Sequence, residues 1–166
     1  MRDLVTVAGP EISDVALRDK LAKKLAYDRV GFGNVFNLLT VDVSNGVATI
    51  GGEVRNPVDR QSAISEVVNT PGVKGVVEDI KVSPASFYDD ELRIRLARAI
   101  YRDPVLSRYG WDPQAPIRIV VDNGHVALYG VVMNDFDRIV AGIRANEVAG
   151  AFSVENHLLA ANKADR

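Results

Sequence analysis

Cysteine is absent from the 166 residues, and that one omission removes disulfides, thiolate metal sites and cysteine nucleophiles together. It leaves the compartment open, because cysteine-free chains occur in reducing and oxidising spaces alike. Histidine is scarce: His125 and His157 stand 32 positions apart, too few for a multi-histidine metal site, so neither a metal nor a cofactor is expected. Long apolar runs are missing as well. Nothing approaches the roughly 18 uncharged residues of a membrane span, and no transmembrane segment is expected. Charge of one sign is not in excess either, since 20 Lys+Arg against 22 Asp+Glu leave a formal net charge of -2. That argues against a generally basic polyanion binder and leaves room for a local basic patch. The first ten residues, Met1 to Pro10, lack the apolar core of a signal peptide. A cytosolic chain and a mature form with an added Met both fit that start. What is present is ordinary globular material: at 47% hydrophobic and 25% charged residues, the chain can bury enough apolar surface to offset its entropy.

The chain is a repeat. Laying Val43–Val82 over Val121–Ala160 at a constant offset of 78 requires no gap, and 11 of the 40 positions are identical. They include Asn45/Asn123, Gly46/Gly124, Gly52/Gly130, Asn56/Asn134, Asp59/Asp137, Arg60/Arg138, Ala63/Ala141 and Gly72/Gly150. Upstream, Asp14–Asp28 matches Asp89–Asp103 at an offset of 75. Three extra residues therefore fall in or near Ser107–Pro116 of the second copy. A period near 78 is too long for the common solenoids and suits a pair of small domains. The expected division is an extension over 1–11, a first domain over 12–82, a linker over 83–86, a second domain over 87–160 and a tail over 161–166. So short a linker predicts that the two domains touch.

Each copy reads helix, strand, strand, helix, strand. Ser13 is a suitable N-cap, and Leu17, Leu21 and Leu25 recur along one helical face. In the second copy Asp89 or Asp90 takes the cap position, Leu92, Leu96, Ala99 and Ile100 form the face, and Pro104 bars continuation. Leu39–Val43 and Val47–Val54 flank Asn45-Gly46, whose residue types favour the positive φ of a tight hairpin turn; Ile117–Val121 and His125–Val132 repeat this around Asn123-Gly124. Asn56-Pro57 opens the next helix and Asn134 does so again. Gly72 and Gly150 then precede the closing strands, read as Val73–Val82 and Ala151–Leu159. The expected fold class is α+β: two tandem αββαβ domains, each a three-stranded mixed sheet with two helices packed on one face.

These motifs, VSNGVATIGGEV, NPVDR and PGVKGVVEDIKV in the first copy and VDNGHVALYGVV, NDFDR and AGAFSVENHLL in the second, resemble the BON domain (bacterial OsmY and nodulation). The resemblance covers about Ile12–Val82 and Phe87–Ala160. It implies the αββαβ fold, no catalytic residues, and partners that are anionic phospholipid or envelope proteins. It also implies a periplasmic or envelope-associated address, with a cytoplasmic one if the chain is native at full length. Neither the signal peptide nor the lipidated cysteine usual in secreted members is present in this sequence.

Other motifs read as structure. Gly72–Gly75 (GVKG) has the spacing of a KH nucleic-acid clamp, but leads into a strand where that clamp joins two helices. It is read as a helix end and turn, and no nucleic-acid partner is expected. Gly31-Phe32-Gly33 lacks the Lys-Ser/Thr of a phosphate loop and is read as a turn. His125 replaces Val47 and His157 replaces Asp79, both as surface residues. Asp59-Arg60 and Asp137-Arg138 fall in a first helical turn, where an acid suits the dipole and can hold the neighbouring arginine.

The second copy carries eight arginines and no lysine, against four arginines and five lysines in the first. Arg95, Arg98 and Arg102 form one stripe on its first helix, followed by Tyr109 and the single tryptophan, Trp111. A basic amphipathic helix ending in aromatics suits an anionic lipid surface, and arginine offers phosphate two parallel hydrogen bonds. In the lipoproteins with two BON domains that the chain resembles, this same helix is the lipid-contacting element. The alternative is a solvated face neutralised by Asp89, Asp90, Glu91 and Asp103. The expected function is a non-enzymatic envelope module binding anionic phospholipid, supporting envelope integrity or stress tolerance. Two other readings stand beside it: a protein-interaction or chaperone-like periplasmic role, and a small-ligand or ion sensor at the seam between copies.

Overall fold

The computed structural model describes residues 12–27, 35–112 and 115–161. Gly31-Phe32-Gly33 and nearly all of the terminal extensions lie outside them. The first copy runs α1 (Asp14–Tyr27), β1 (Leu38–Ser44), β2 (Val47–Val54), α2 (Pro57–Val68) and β3 (Gly75–Val82). The second runs α3 (Phe87–Tyr101), a short 3-10 helix (Ser107–Trp111), β4 (Ile117–Asp122), β5 (His125–Val132), α4 (Asp135–Asn146), β6 (Ser153–Asn156) and β7 (Leu159–Ala160). Two tandem αββαβ units are thus present, and in the second a 3-10 helix lies between α3 and β4.

In the first unit the sheet order is β1-β2-β3, with β1 antiparallel and β3 parallel to β2. The second repeats it as β4-β5-β6, with β7 continuing beside β5. The closing strand expected over Ala151–Leu159 is in fact two pieces, interrupted at His157-Leu158. Asn156 turns its side-chain oxygen to the Leu158 amide there, 3.1 Å away, which takes that amide from the ladder while the His157 amide still donates to the Leu128 carbonyl at 2.8 Å. Each sheet buries alternate residues against its two helices: Ala48, Ile50 and Val54 in β2, Val126, Leu128 and Val132 in β5. Leu17, Leu21 and Leu25 meet the first set, and Leu92, Leu96 and Ile100 the second. The second helices meet the sheet closely through Ala63 and Ala141, both wholly buried, with Val67 of α2 and Ala145 of α4 buried one turn further on.

Three devices fix these layers, and sequence spacing exposed only part of each. Asp14 and Asp89 do not cap. Their carboxylates accept from the two amides of the hairpin turn: Asn45 and Gly46 at 2.8 and 3.0 Å, Asn123 and Gly124 at 2.8 and 2.9 Å. The cap of α3 is Ser86, which accepts from the Asp89 amide. This corrects the expectation of Asp89 or Asp90, because the helix begins three residues earlier than a cap at Asp89 requires. Ser13 does bind the Ala16 amide at 3.1 Å, as an N-cap should.

The recurring Asp-Arg pairs do not hold each other. Buried Asp59 accepts from the Asn37 amide group at 2.9 Å, and Arg60 reaches Glu78 at 2.6 Å instead. Buried Asp137 accepts from the Tyr109 hydroxyl and from Arg108, while Arg138 turns to Asp135 at 2.7 Å. Asn37 and Tyr109 play one role in unlike chemistry. Each donates to the helix carboxylate and accepts a backbone amide, from Arg55 in one copy and Met133 in the other. The two copies also touch. Val35 and Phe36 belong to the second core, Arg118 donates to the Asn37 carbonyl at 3.3 Å, and Lys81 bridges to Asp122 at 2.6 Å.

Candidate functional site

Both helices of the second unit lie in one layer over its sheet, since Leu92, Leu96, Ala97 and Ile100 of α3 and Ala141 and Ala145 of α4 enter one core. Three bonds fasten them side by side. Arg95 donates to the Ala149 carbonyl beyond α4, the Tyr88 hydroxyl to Gly150 at 2.5 Å, and Arg144 of α4 to Asp103 at 2.5 Å. Burial alone would raise the Asp103 carboxyl. Hydrogen bonds from Arg144 and from the Val105 and Leu106 amides outweigh burial and hold it below the ordinary carboxylate value.

The outward face of this layer carries the arginines. Arg95, Arg98 and Arg102 are all exposed. The acids that sequence places near them are engaged elsewhere: Asp89 on the turn amides, Asp90 with Arg93 at 2.6 Å, Asp103 with Arg144. Among the described residues Arg98 and Arg102 have no carboxylate partner. The neutralised-face alternative therefore loses three of its four acids. Trp111 projects from the 3-10 helix at 88% exposure.

Tyr109 does not belong to this surface. It is 6% exposed, packed in the second core with its hydroxyl on Asp137, and burial first, then Asp137, raises its phenol above the ordinary value. The aromatic residue sits in the inserted segment, where sequence alone gives no inward or outward register. The eight shared motif residues, Asn45, Gly46, Gly52, Gly72, Asn123, Gly124, Gly130 and Gly150, all have positive φ and act through the backbone.

Sequence reasoning missed four further exposed residues on this side: Met133, Phe136, Ile139 and Ile143. An i, i+3, i+7 apolar spacing reads as a buried face, yet the buried positions of α4 are Asp137, Ala141 and Ala145. The comparison that could have found them is copy against copy, since α2 has Gln61 and Ser65 where α4 has Ile139 and Ile143. The seam holds a cleft of 410 Å³ lined by Arg18, Leu25, Leu39 and Val41 from the first copy and Arg118 from the second, among others. No cluster of three or more acids or histidines suited to a metal occurs among the described residues. Likewise, none of their helices is long and apolar enough to cross a membrane.

The BON domain family matches residues 13–84 and 95–162. The chain belongs to the BON domain family. Membership in this family suggests an envelope-associated, non-catalytic binding role, and the chain holds two such domains in tandem. No curated protein sequence matches it. Among solved structures it is similar to the C-terminal domain of CdsD, the structural protein of the type III secretion system of Chlamydia trachomatis. The identity is 15% over 90% of this chain and 67% of that one, with a TM-score of 0.36. A second CdsD structure gives 17% identity over 88% of this chain and 95% of that one, with a TM-score of 0.32.

Proposed function

We propose that this tandem BON protein is a peripheral module of the bacterial envelope that binds anionic phospholipid through the helical layer of its second domain, supporting envelope integrity under stress. The observation that carries this reading is the set of exposed arginines on α3, two of them without a carboxylate partner among the described residues, beside exposed Trp111. An arginine near an anionic bilayer contributes about 1 kcal/mol, so Arg95, Arg98 and Arg102 together can shift binding on the order of a hundredfold. Salt screens such contacts, and the binding is correspondingly salt-sensitive.

Co-sedimentation of the full chain with phosphatidylglycerol vesicles tests this, with phosphatidylcholine vesicles as reference. The chain is expected to pellet with the anionic vesicles at low salt and far less with the neutral ones. Arg98→Gln with Arg102→Gln is expected to weaken the anionic binding roughly tenfold or more. Equal pelleting with both lipids, or none at low salt, contradicts the reading.

A further inference from the structure

The protein contains its own control, because one fold is present twice with different outward faces. A basic stripe does not by itself distinguish the domains. Lys20 and Lys23 occupy on α1 the positions of Arg95 and Arg98, and both are exposed. The neighbouring helix does distinguish them. At the offset of 78, Arg55, Val58, Gln61 and Ser65 correspond to Met133, Phe136, Ile139 and Ile143. The second set is exposed by 59%, 63%, 46% and 50%, so the replacement of Arg55, Gln61 and Ser65 by large apolar residues, and of exposed Val58 by Phe136, is made on the surface and not in the core.

Phe136, Ile139 and Ile143 stand at i, i+3 and i+7, one stripe opposite the buried Ala141 and Ala145. Folding does not demand it, since α2 holds the same place with Gln61 and Ser65. Single exposed apolar side chains are ordinary, whereas a continuous stripe marks a contact surface. Two neighbours identify the occupant. On one side lie the α3 arginines, brought alongside α4 by the Arg95–Ala149 and Asp103–Arg144 bonds. At the Met133 end lies the 3-10 helix carrying Trp111, pinned there by Tyr109 to Asp137 and to the Met133 amide. Arginines without a carboxylate partner among the described residues, beside an apolar stripe with tryptophan at its end, match the headgroup and acyl boundary of an anionic bilayer.

We infer that the α4 stripe is the element that enters this boundary, while the α3 arginines hold phosphates beside it. The inference rests on the anionic-lipid reading above and adds a contribution that salt does not screen. The test exchanges the stripe for residues the fold already accepts, as Phe136→Val, Ile139→Gln and Ile143→Ser together in the full chain. Binding to phosphatidylglycerol vesicles is measured at low and high salt, with circular dichroism confirming an unchanged fold. Wild type is expected to keep a salt-resistant share of binding. The exchanged chain should lose that share, with affinity at high salt falling by about tenfold or more, and keep its salt-sensitive share.

If wild type binds and the exchanged chain binds equally at both salts, the inference is overturned and the phospholipid reading stands. If wild type binds no vesicle, both fail. If the exchange leaves vesicle binding intact and abolishes a dimer seen by sedimentation velocity, the stripe is an interface between copies, which also overturns it.

Discussion

Gly130→Ala is expected to unfold the second domain, or to lower its melting temperature by roughly 20 °C, the largest effect of any single methyl group in that domain. Gly130 has φ of 131 degrees, and a Cβ there would fall well inside van der Waals contact with the carbonyl oxygen of Pro116. The neighbour is backbone, in the antiparallel pair Ile117–Gly130, so no side-chain rotation relieves the clash. The strand must move or the ladder must open, at a cost of about 4 kcal/mol or more. Gly110→Ala is the matched control, since its Cβ would meet only the Tyr101 ring at 3.7 Å. Thermal melts followed by circular dichroism compare the two. Equal melting temperatures for both variants would show that the hairpin does not need this backbone geometry.

Asp89→Ala carries the second large effect, of about 3 kcal/mol. Asp89 is wholly buried, and both of its oxygens accept from the Asn123 and Gly124 amides. Its removal takes away two charge-assisted hydrogen bonds, each contributing about 1.5 kcal/mol or more, and leaves a buried amide without a partner. Asp14 makes the same two bonds in the first domain but is only half-buried, so water reaches the vacated site more readily. Asp14→Ala is expected to cost about 1 kcal/mol. Urea unfolding of the two variants measures the difference. Equal losses would mean that burial of this contact does not set its strength.

The architecture was legible because both copies satisfy the same local rules. Asn-Gly turns, a helix-opening asparagine and small residues against the sheet recur at one offset, and each constrains the backbone wherever it occurs. Long-range pairings were less legible. Nothing near Asp14 or Asp89 in sequence shows that the carboxylate faces a turn 31 or 34 residues onward. The exchange of Asn37 for Tyr109 likewise hides one role behind two chemistries. Faces were least legible where a helix reverses the usual rule. α4 buries an aspartate and alanines and exposes isoleucines, so its periodicity identifies a stripe and assigns it to the wrong side. The arginines of α3 were visible from spacing alone. That their acidic neighbours are occupied elsewhere is a tertiary fact.

The central claim is that the helical layer of the second domain, and not its counterpart in the first, meets the membrane. Hydroxyl-radical footprinting of the full chain with and without phosphatidylglycerol vesicles tests it residue by residue. Trp111, Phe136, Ile139 and Ile143 are exposed and oxidisable in the free protein, as are Val15, Val58 and Val77 of the first domain. Vesicles are expected to protect the first group and leave the second unchanged. Protection centred on Val15 and Val58, or none at Phe136 and Ile143 while the chain is bound, would contradict the account.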